Sequence, residues 1–288
     1  DCYKYYEEFK SSYSYLSSTY FEISTTILSC FILFPKRMRK WILWYLHNNT
    51  IYLINSVIIR NSRRIHSITL KITQWYSFTK MPIIIHKTAV SPPARAVMMT
   101  VRLLDLEVET REVDIPSRQQ HAPEYLKKNP LHTVPLLEDD GFILADSHAI
   151  MTYLVSEYGE EKHSNLYPKD NRLRATVDQR LYFESSILFP RFKPVVYSLV
   201  GGTRLSAQQK SEIEEAYGFL DKYLEKTTYV AADYLTLADV SCVATLSSLN
   251  SIVAVDRKYV KIHNWWEKLQ KEEWYHENIP AFLNKNVI

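Results

Sequence analysis

A buried strand, a short loop and a helix are predicted, in that order, by Ile83-Ile-Ile-His-Lys-Thr-Ala-Val-Ser-Pro-Pro-Ala-Arg95. Pro92 suits the first helical turn, because its missing N–H would have no partner there. Ser91 is therefore predicted at or beside the N-cap, with its hydroxyl near unpaired backbone N–H groups and the positive end of the helix. Such a place can hold an anion such as a thiolate. The simpler interpretation, that Ser91 only caps the helix, stays open at this point.

Downstream of this stretch, strand and helix patterns alternate as far as Gly159. Asp139-Asp140-Gly141 separates two apolar runs and predicts a hairpin turn. The expected elements are a strand at Ile83–His86, a helix at Pro92–Leu104, a strand at Val108–Val113, a helical turn at Glu124–Lys128, a hairpin of Val134–Leu137 with Phe142–Leu144, and a helix at Ala149–Tyr158 capped by Asp146-Ser147. This order, β-α-β and then β-β-α, predicts a thioredoxin-like domain over residues 81–163.

Strand signals largely vanish in the rest of the chain, and residues 170–288 are predicted to form an all-helical domain. Long helical patterns cover Arg172–Leu188, Ser206–Leu224, Leu237–Val253 and Lys261–Leu269. Thr236-Leu-Ala-Asp239 reads as a capping box before a very apolar helix, and its role is interpreted as structural.

Charge and cysteine content narrow the class of protein. Residues 1–80 carry 11 Lys and Arg against 4 Asp and Glu, whereas residues 81–288 carry 24 against 28. A nearly neutral main body gives no electrostatic case for nucleic-acid binding. The three cysteines have no metal or redox spacing, and Cys242, inside an apolar helical run, is expected to be a buried inert thiol.

The first eighty residues differ in composition from the rest. They contain no Gly or Ala and one proline, Pro35, whereas all five glycines lie beyond residue 140. We interpret residues 1–80 as an extension, artefactual or poorly ordered, that translates AT-rich sequence upstream of a natural initiator at Met81. The alternative is a membrane anchor at Trp41–Ile59, but His47-Asn48-Asn49 lies in its middle, where polar groups are costly, so a membrane role is not expected.

A set of motifs over residues 81–288 resembles the cytosolic glutathione S-transferases, specifically the insect epsilon class, with the delta class as a near relative. They stand in the family's order: Ser91-Pro-Pro-Ala-Arg-Ala96, Asn129-Pro-Leu-His-Thr-Val-Pro135, Asp146-Ser-His-Ala-Ile150, Tyr153-Leu-Val-Ser-Glu-Tyr-Gly159, Leu166-Tyr-Pro-Lys-Asp170, Val177-Asp-Gln-Arg-Leu181, Phe183-Glu-Ser185 and Leu237-Ala-Asp239. The resemblance implies a thioredoxin-like domain followed by an all-α domain. It also implies a cytoplasmic homodimer that conjugates glutathione to small hydrophobic electrophiles in detoxification, with possible dehydrochlorinase or peroxidase side activity and no metal.

The resemblance also implies roles for individual residues. Ser91 would donate to the glutathione thiolate, and the backbone of Val134, before a cis Pro135, would pair with the cysteinyl part of the ligand. The γ-glutamyl end would be held by Ser147 and Asp146. The other residues implied in glutathione binding are His132 at the glycyl end, His121, Thr133 and His148.

The second substrate is expected between the Ser91 loop and the helix through Phe189-Pro-Arg-Phe-Lys193. Apolar walls would come from Pro93, Phe189, Phe192 and Tyr197, and a charge from Arg191. Aromatic residues at helical spacing are as often core as pocket. A non-catalytic ligand-binding or structural protein on the same fold remains the alternative function, although the presence of Ser91, Asp146 and Ser147 favours the enzyme.

Overall fold

The computed structural model describes residues 82–276. The interpretations of residues 1–80 as an extension or anchor, and of Met81 as an initiator, lie outside the described residues. None of the helices between residues 82 and 276 is both long and apolar enough to cross a membrane.

The first half of the described chain contains a four-stranded sheet. Its strands are β1 (Ile84–Lys87), β2 (Glu109–Glu112), β3 (Leu136–Asp139) and β4 (Phe142–Ala145), in the spatial order β2-β1-β3-β4. β1 pairs with β2 in parallel, as a strand–helix–strand crossover requires, and the other two pairings are antiparallel. The predicted thioredoxin-like order is confirmed.

The hairpin between β3 and β4 turns at Asp140 and Gly141. Asp139 pairs with Phe142, so the loop has two residues, and both have positive φ, 51° and 83°. Positive φ at both positions characterises the type I′ turn, which matches the twist of the strands and favours Asp-Gly. The predicted hairpin is confirmed, with a tighter turn than expected.

Nine α-helices complete the described residues: α1 (Pro92–Leu103), α2 (Pro123–Lys128), α3 (Ser147–Tyr158), α4 (Asn171–Phe183), α5 (Phe189–Val200), α6 (Ala207–Leu224), α7 (Leu237–Asn250), α8 (Val260–Leu269) and α9 (Glu273–His276). α1 packs against both α3 and α7, so the helix that begins after Ser91 joins the thioredoxin-like part to the helical part. The thioredoxin-like and all-helical parts together confirm the predicted fold class.

One π-turn, Glu184–Leu188, joins α4 to α5 and extends the predicted helix Arg172–Leu188 by twelve residues. Pro190 explains the local widening. It has no N–H for the carbonyl four residues earlier, and its ring clashes with that carbonyl in a regular α-helix. The N–H of Phe189 bonds instead to the carbonyl of Glu184, five residues back.

The capping box at the start of α7 is confirmed. The N–H and the hydroxyl of Thr236 donate to Asp239 Oδ2, at 2.8 and 2.9 Å, while the Trp265 indole and the Val230 N–H donate to Oδ1. Burial raises the pKa of Asp239 to about 6, although these four donors oppose the shift. Cys242 is fully buried, and burial raises the pKa of its thiol well above the ordinary value, which suits the expected inert role.

Candidate active site

The first turn of α1 offers few backbone N–H groups to a ligand. Ser91 is the N-cap, and its Oγ accepts a hydrogen bond from the N–H of Ala94 at 3.3 Å. Pro92 and Pro93 have no N–H at all. The expectation of unpaired N–H groups beside Ser91 is therefore wrong, because the prolines remove two and the cap uses the third. Ser91 can still give an anion its hydroxyl hydrogen, since an accepting oxygen keeps its own proton to donate.

The first turn of α3 is built differently. Asp146 is the N-cap at φ 76°, and its Oδ1 accepts from the N–H groups of His148 and Ala149 at 3.0 and 3.1 Å. Ser147 is the first helical residue and is buried, and its N–H is not among those that Asp146 accepts. Asp146 is confirmed as the cap, whereas Ser147 belongs to the helix, which begins two residues before the predicted start at Ala149. A carboxylate, a hydroxyl and a first-turn N–H therefore lie side by side here.

Two buried side chains hold the loop before β3 in place. The carbonyl oxygen of Thr133 accepts from the Tyr125 hydroxyl at 2.7 Å and from Asn129 Nδ2 at 2.9 Å. Asn129 is 1% exposed, and its Oδ1 accepts from the N–H of Leu131. The next peptide bond, Val134–Pro135, is cis, as predicted. Burial raises the pKa of Tyr125 to about 12, so its hydroxyl keeps the proton that it donates.

His132, predicted at the glycyl end, and His121, predicted in glutathione binding, lie together. The rings of His121 and His132 have centroids 4.4 Å apart and are tilted by 31°. Desolvation lowers the pKa of His121, and the nearby positive groups of His132 and Arg118 add to that effect. Within residues 82–276, no three His, Cys, Asp or Glu side chains are grouped so that they could hold a metal ion.

The ring of His148 points to the helical part of the molecule. Its Nε2 lies 2.7 Å from Ser241 Oγ and 3.0 Å from Glu184 Oε2. Glu184 is 4% exposed and also accepts from the hydroxyl of Thr245. The ring therefore links α3 to α7 and to the π-turn, and a direct contact between this side chain and glutathione stays a prediction.

Sequence analysis missed this buried cluster and also the pair Tyr125 and Asn129. Ser241 and Thr245 are four residues apart on an otherwise apolar helix, a spacing that places both on one face. That spacing predicts a polar stripe along one face of the helix. Asn129 had a weaker signal, because an Asn between a helix and a proline is typical of any turn.

The aromatic residues predicted to line the second-substrate site lie on α5. The rings of Phe189 and Phe192 have centroids 6.2 Å apart, and Tyr197 is 66% exposed. Pro93, on the first turn of α1, is partly exposed. The role of these side chains as apolar walls of a substrate site stays a prediction.

Arg191 has its charge engaged elsewhere. Its guanidinium donates to the carbonyl oxygen of Glu212 and to the carboxylate of Glu215, at 2.5 and 2.9 Å, and both acceptors belong to α6. A third bond goes to the carbonyl of Ile187. The predicted substrate-facing charge is thus directed toward a neighbouring helix, and the sequence held no signal for this pairing across 24 residues.

Comparisons with known proteins agree with this geometry. Residues 85–162 match the family model of the glutathione S-transferase N-terminal domain, and residues 182–273 match that of the C-terminal domain. Glutathione S-transferase 1 of Manduca sexta is 40% identical over 209 residues, which are 70% of this chain and 94% of that protein.

Solved structures are similar over the same region. An epsilon-class glutathione S-transferase from the housefly, Musca domestica, is 40% identical, with a TM-score of 0.68, over 71% of this chain and 95% of its own. A glutathione transferase homologue from Drosophila mojavensis, solved with bound glutathione, is 41% identical with a TM-score of 0.67, over 72% of this chain and 94% of its own.

Proposed function

The chain belongs to the glutathione S-transferase family, and on that premise we propose how its own residues bind glutathione and activate the thiol. The family, with insect epsilon- and delta-class relatives, gives the reaction: glutathione is the co-substrate, its thiol loses a proton, and the sulfur then forms a bond to an electrophile. The observation that best supports the assignment of residues is the position of the Ser91 hydroxyl at the N-cap of α1, with a hydrogen left to donate.

Ser91 stabilises the thiolate in this proposal. A thiol is poorly ionised at neutral pH, and only the thiolate is a good nucleophile. A hydroxyl that donates to the sulfur favours the charged form and so lowers the thiol pKa. Pro92 and Pro93 exclude competing first-turn N–H donors, so the hydroxyl is the local donor that decides ionisation.

The ends of glutathione are held by other groups. Ser147 offers its hydroxyl and N–H to the γ-glutamyl carboxylate at a helix N-terminus, which favours an anion. Asp146 pairs through its free Oδ2 with the γ-glutamyl ammonium, while Oδ1 serves the cap. The backbone of Val134 pairs with the cysteinyl residue. The hydrogen bonds from Tyr125 and Asn129 to the carbonyl oxygen of Thr133 hold that backbone in place. His132 and His121 approach the glycyl carboxylate, and His148 supports the γ-glutamyl site from behind.

Apolar electrophiles are the proposed second substrates. Pro93, Phe189, Phe192 and Tyr197 would provide an apolar surface near the sulfur, while the charge of Arg191 stays with α6. A surface of this kind suits conjugation of hydrophobic halides and epoxides, and dehydrochlorination or peroxide reduction are side activities of the same thiolate.

A cytoplasmic homodimer is the proposed state of the protein. Phe142 and Ile143 on β4, 44% and 40% exposed, and Tyr182 at the end of α4, 70% exposed, offer apolar surface for a second copy. A two-fold axis is the usual geometry for such a pair. Light scattering of the purified chain would give the expected mass of two protomers, and a single-protomer mass would contradict the proposal.

The assignment is tested with the purified full chain. It should be retained on glutathione resin, conjugate a chloronitrobenzene, and show an ultraviolet thiolate band from bound glutathione at a lower pH than free glutathione. Retention without conjugation or a thiolate band would support the non-catalytic alternative. Absence of retention would overturn the glutathione site itself.

A further inference from the structure

Arg95 is a buried arginine one turn after Ser91 on α1. It is 3% exposed, and its Nη2 donates to the carbonyl oxygen of Ala244 at 2.5 Å and to Ser248 Oγ at 2.6 Å, with Ser247 Oγ at 3.3 Å. All three acceptors lie on α7 and are neutral. Arginine is almost never buried without a carboxylate or phosphate partner, so a buried arginine with only neutral acceptors is unusual.

No carboxylate in residues 82–276 compensates the charge of Arg95. Its Nε and Nη1 are buried without a hydrogen-bond partner in that range, and none of the ion pairs formed there includes it. Tyr275 of α9 is the titratable group that faces it. Burial lowers the pKa of Arg95 to about 10, an effect that Tyr275 partly opposes. The guanidinium therefore stays positively charged at neutral pH.

A thiolate held at Ser91 lies close to this charge along the same helix. Arg95 stands four positions after Ser91, which corresponds to a rise of about 6 Å along the helix axis. The first turn of α1 supplies no free backbone N–H, as described above, so a thiolate there has the hydroxyl and the helix dipole but lacks the usual ring of amide donors.

We propose that Arg95 supplies a buried, unpaired positive charge that stabilises the glutathione thiolate held at Ser91. The inference rests on the proposed role of Ser91 and adds a second source of stabilisation, which acts through space and without contact with the sulfur. The neutral partners on α7 matter for this role, because a carboxylate in their place would cancel the field that reaches the thiolate.

The size of the effect follows from Coulomb's law. Two unit charges about 10 Å apart at an effective dielectric constant of about 20 interact by an amount equal to roughly one pKa unit. Removal of the charge should therefore raise the pKa of the bound thiol by about one unit. At a pH below both thiol pKa values, the thiolate population and kcat/KM should fall up to about tenfold, and at high pH the difference should shrink.

The test compares Arg95→Met with the parent protein by ultraviolet titration of enzyme-bound glutathione and by the pH profile of kcat/KM. Met keeps an apolar stem of similar length, and Ser247 can still donate to the carbonyl of Ala244. The expected result is the upward thiol pKa shift with little change in the glutathione Kd measured at a pH below both thiol pKa values. An unchanged thiol pKa in a folded Arg95→Met protein would overturn the inference.

Two control variants separate charge from packing. Arg102→Met removes an arginine near the other end of α1, where the side chain is exposed, and should leave the thiol pKa unchanged. Ser248→Ala removes one hydrogen-bond partner of Arg95 but no charge. A thiol pKa that moves as far in Ser248→Ala as in Arg95→Met would show a purely structural role and overturn the proposal.

The parent protein gives a measurement that needs no folded variant. Salt screens exposed charges strongly but buried ones weakly. The pKa of the bound thiol should therefore change by no more than about 0.2 units between about 0.02 and 0.5 M salt, whereas a strong dependence would contradict a buried source. If the parent shows no thiolate band at all, the proposed function fails; if Ser91→Ala moves the thiol pKa and Arg95→Met does not, only this inference fails.

Discussion

The N-termini of α1 and α3 are both proposed to bind glutathione, but their first turns carry different polar groups. At α1 the first turn has two prolines and a serine cap, so a hydroxyl is the polar group that remains for a ligand. At α3 an aspartate caps the second and third helical N–H groups and leaves the N–H and hydroxyl of Ser147. The comparison explains why we assign the thiolate to the start of α1 and the zwitterionic end of glutathione to the start of α3.

The difference follows from what each end must recognise. At α1 the site has to stabilise the thiolate more than the neutral thiol. A hydrogen-bond donor does this when its bond to the sulfur becomes stronger as the negative charge develops. A carboxylate and an ammonium are charged from the start, and they need donors and an acid in fixed positions. Substitutions at the two helix starts should therefore change different measured quantities.

Ser91→Ala should have the largest effect, and it should fall on chemistry. Loss of one donor to a developing anion costs on the order of 2–4 kcal/mol, or roughly 30- to 900-fold in kcat. The thiol pKa should rise, and the glutathione Kd measured at a pH below both thiol pKa values should change little because the ends of the tripeptide hold it. Ser91→Thr, which keeps a hydroxyl, is the matched control. Unchanged turnover and thiol pKa in Ser91→Ala would make Ser91 merely a helix cap.

Ser147→Ala should show the reverse pattern. A hydrogen bond to a charged group contributes about 1.5–3 kcal/mol, so the glutathione Kd should rise about ten- to a hundredfold. The thiol pKa in the saturated complex should stay where it is, because Ser147 does not reach the sulfur. Calorimetry and ultraviolet titration measure the two quantities separately. A shifted thiol pKa with an unchanged Kd would break the division of tasks between the helices.

Asp146→Asn should have a smaller effect on binding and almost none on stability. Asparagine caps a helix as well as aspartate and tolerates a positive φ, but it cannot pair with an ammonium as a charge. We expect the glutathione Kd to rise by about three- to tenfold, as for a partly exposed charge pair. The matched variant Asp146→Ala should also lose about 1 kcal/mol of unfolding free energy. Equal Kd values for Asp146→Asn and the parent protein would remove the ammonium contact from the proposal.

Pro93→Ala should have the smallest effect and tests the prolines directly. It restores a backbone N–H in the first turn of α1, so an additional donor should lower the bound thiol pKa by a few tenths of a unit. Leu103→Met, a volume-conserving change at the other end of α1, is the control and should leave the thiol pKa alone. A rise of the thiol pKa in Pro93→Ala would show that the proline serves the site by its shape and not by its missing donor.

Much of this fold could be predicted from the sequence because local signals agreed with one another. Apolar periodicity, the Asp-Gly turn and the caps at Ser91, Asp146 and Thr236 each follow from residues within a few positions. The π-turn was missed, although Pro190 is a visible signal, because a proline inside a helical pattern can end the helix or only distort it. Sequence alone does not decide between these outcomes.

The candidate site was less predictable wherever contacts are distant in the chain. Arg95 and Ser248 are 153 residues apart, and His148 and Ser241 are 93 apart. No local pattern joins such residues, and the neutral acceptors of Arg95 look like ordinary helix residues until α1 and α7 pack. The resemblance to a family predicted residues that would touch glutathione, but it did not predict the groups that pack behind them.

The two edges of the sheet differ in their exposed side chains, and this difference affects how readily each edge could add a strand from another molecule. β2 has the sequence Glu109-Thr-Arg-Glu112, and all four residues are exposed, whereas β4, at the other edge, exposes Phe142 and Ile143. Charged side chains on an edge strand discourage the addition of a foreign strand. Charges thus oppose sheet extension at β2, so substitutions that add apolar surface to β4 carry the greater risk of aggregation, which a second copy over Phe142 and Ile143 would reduce.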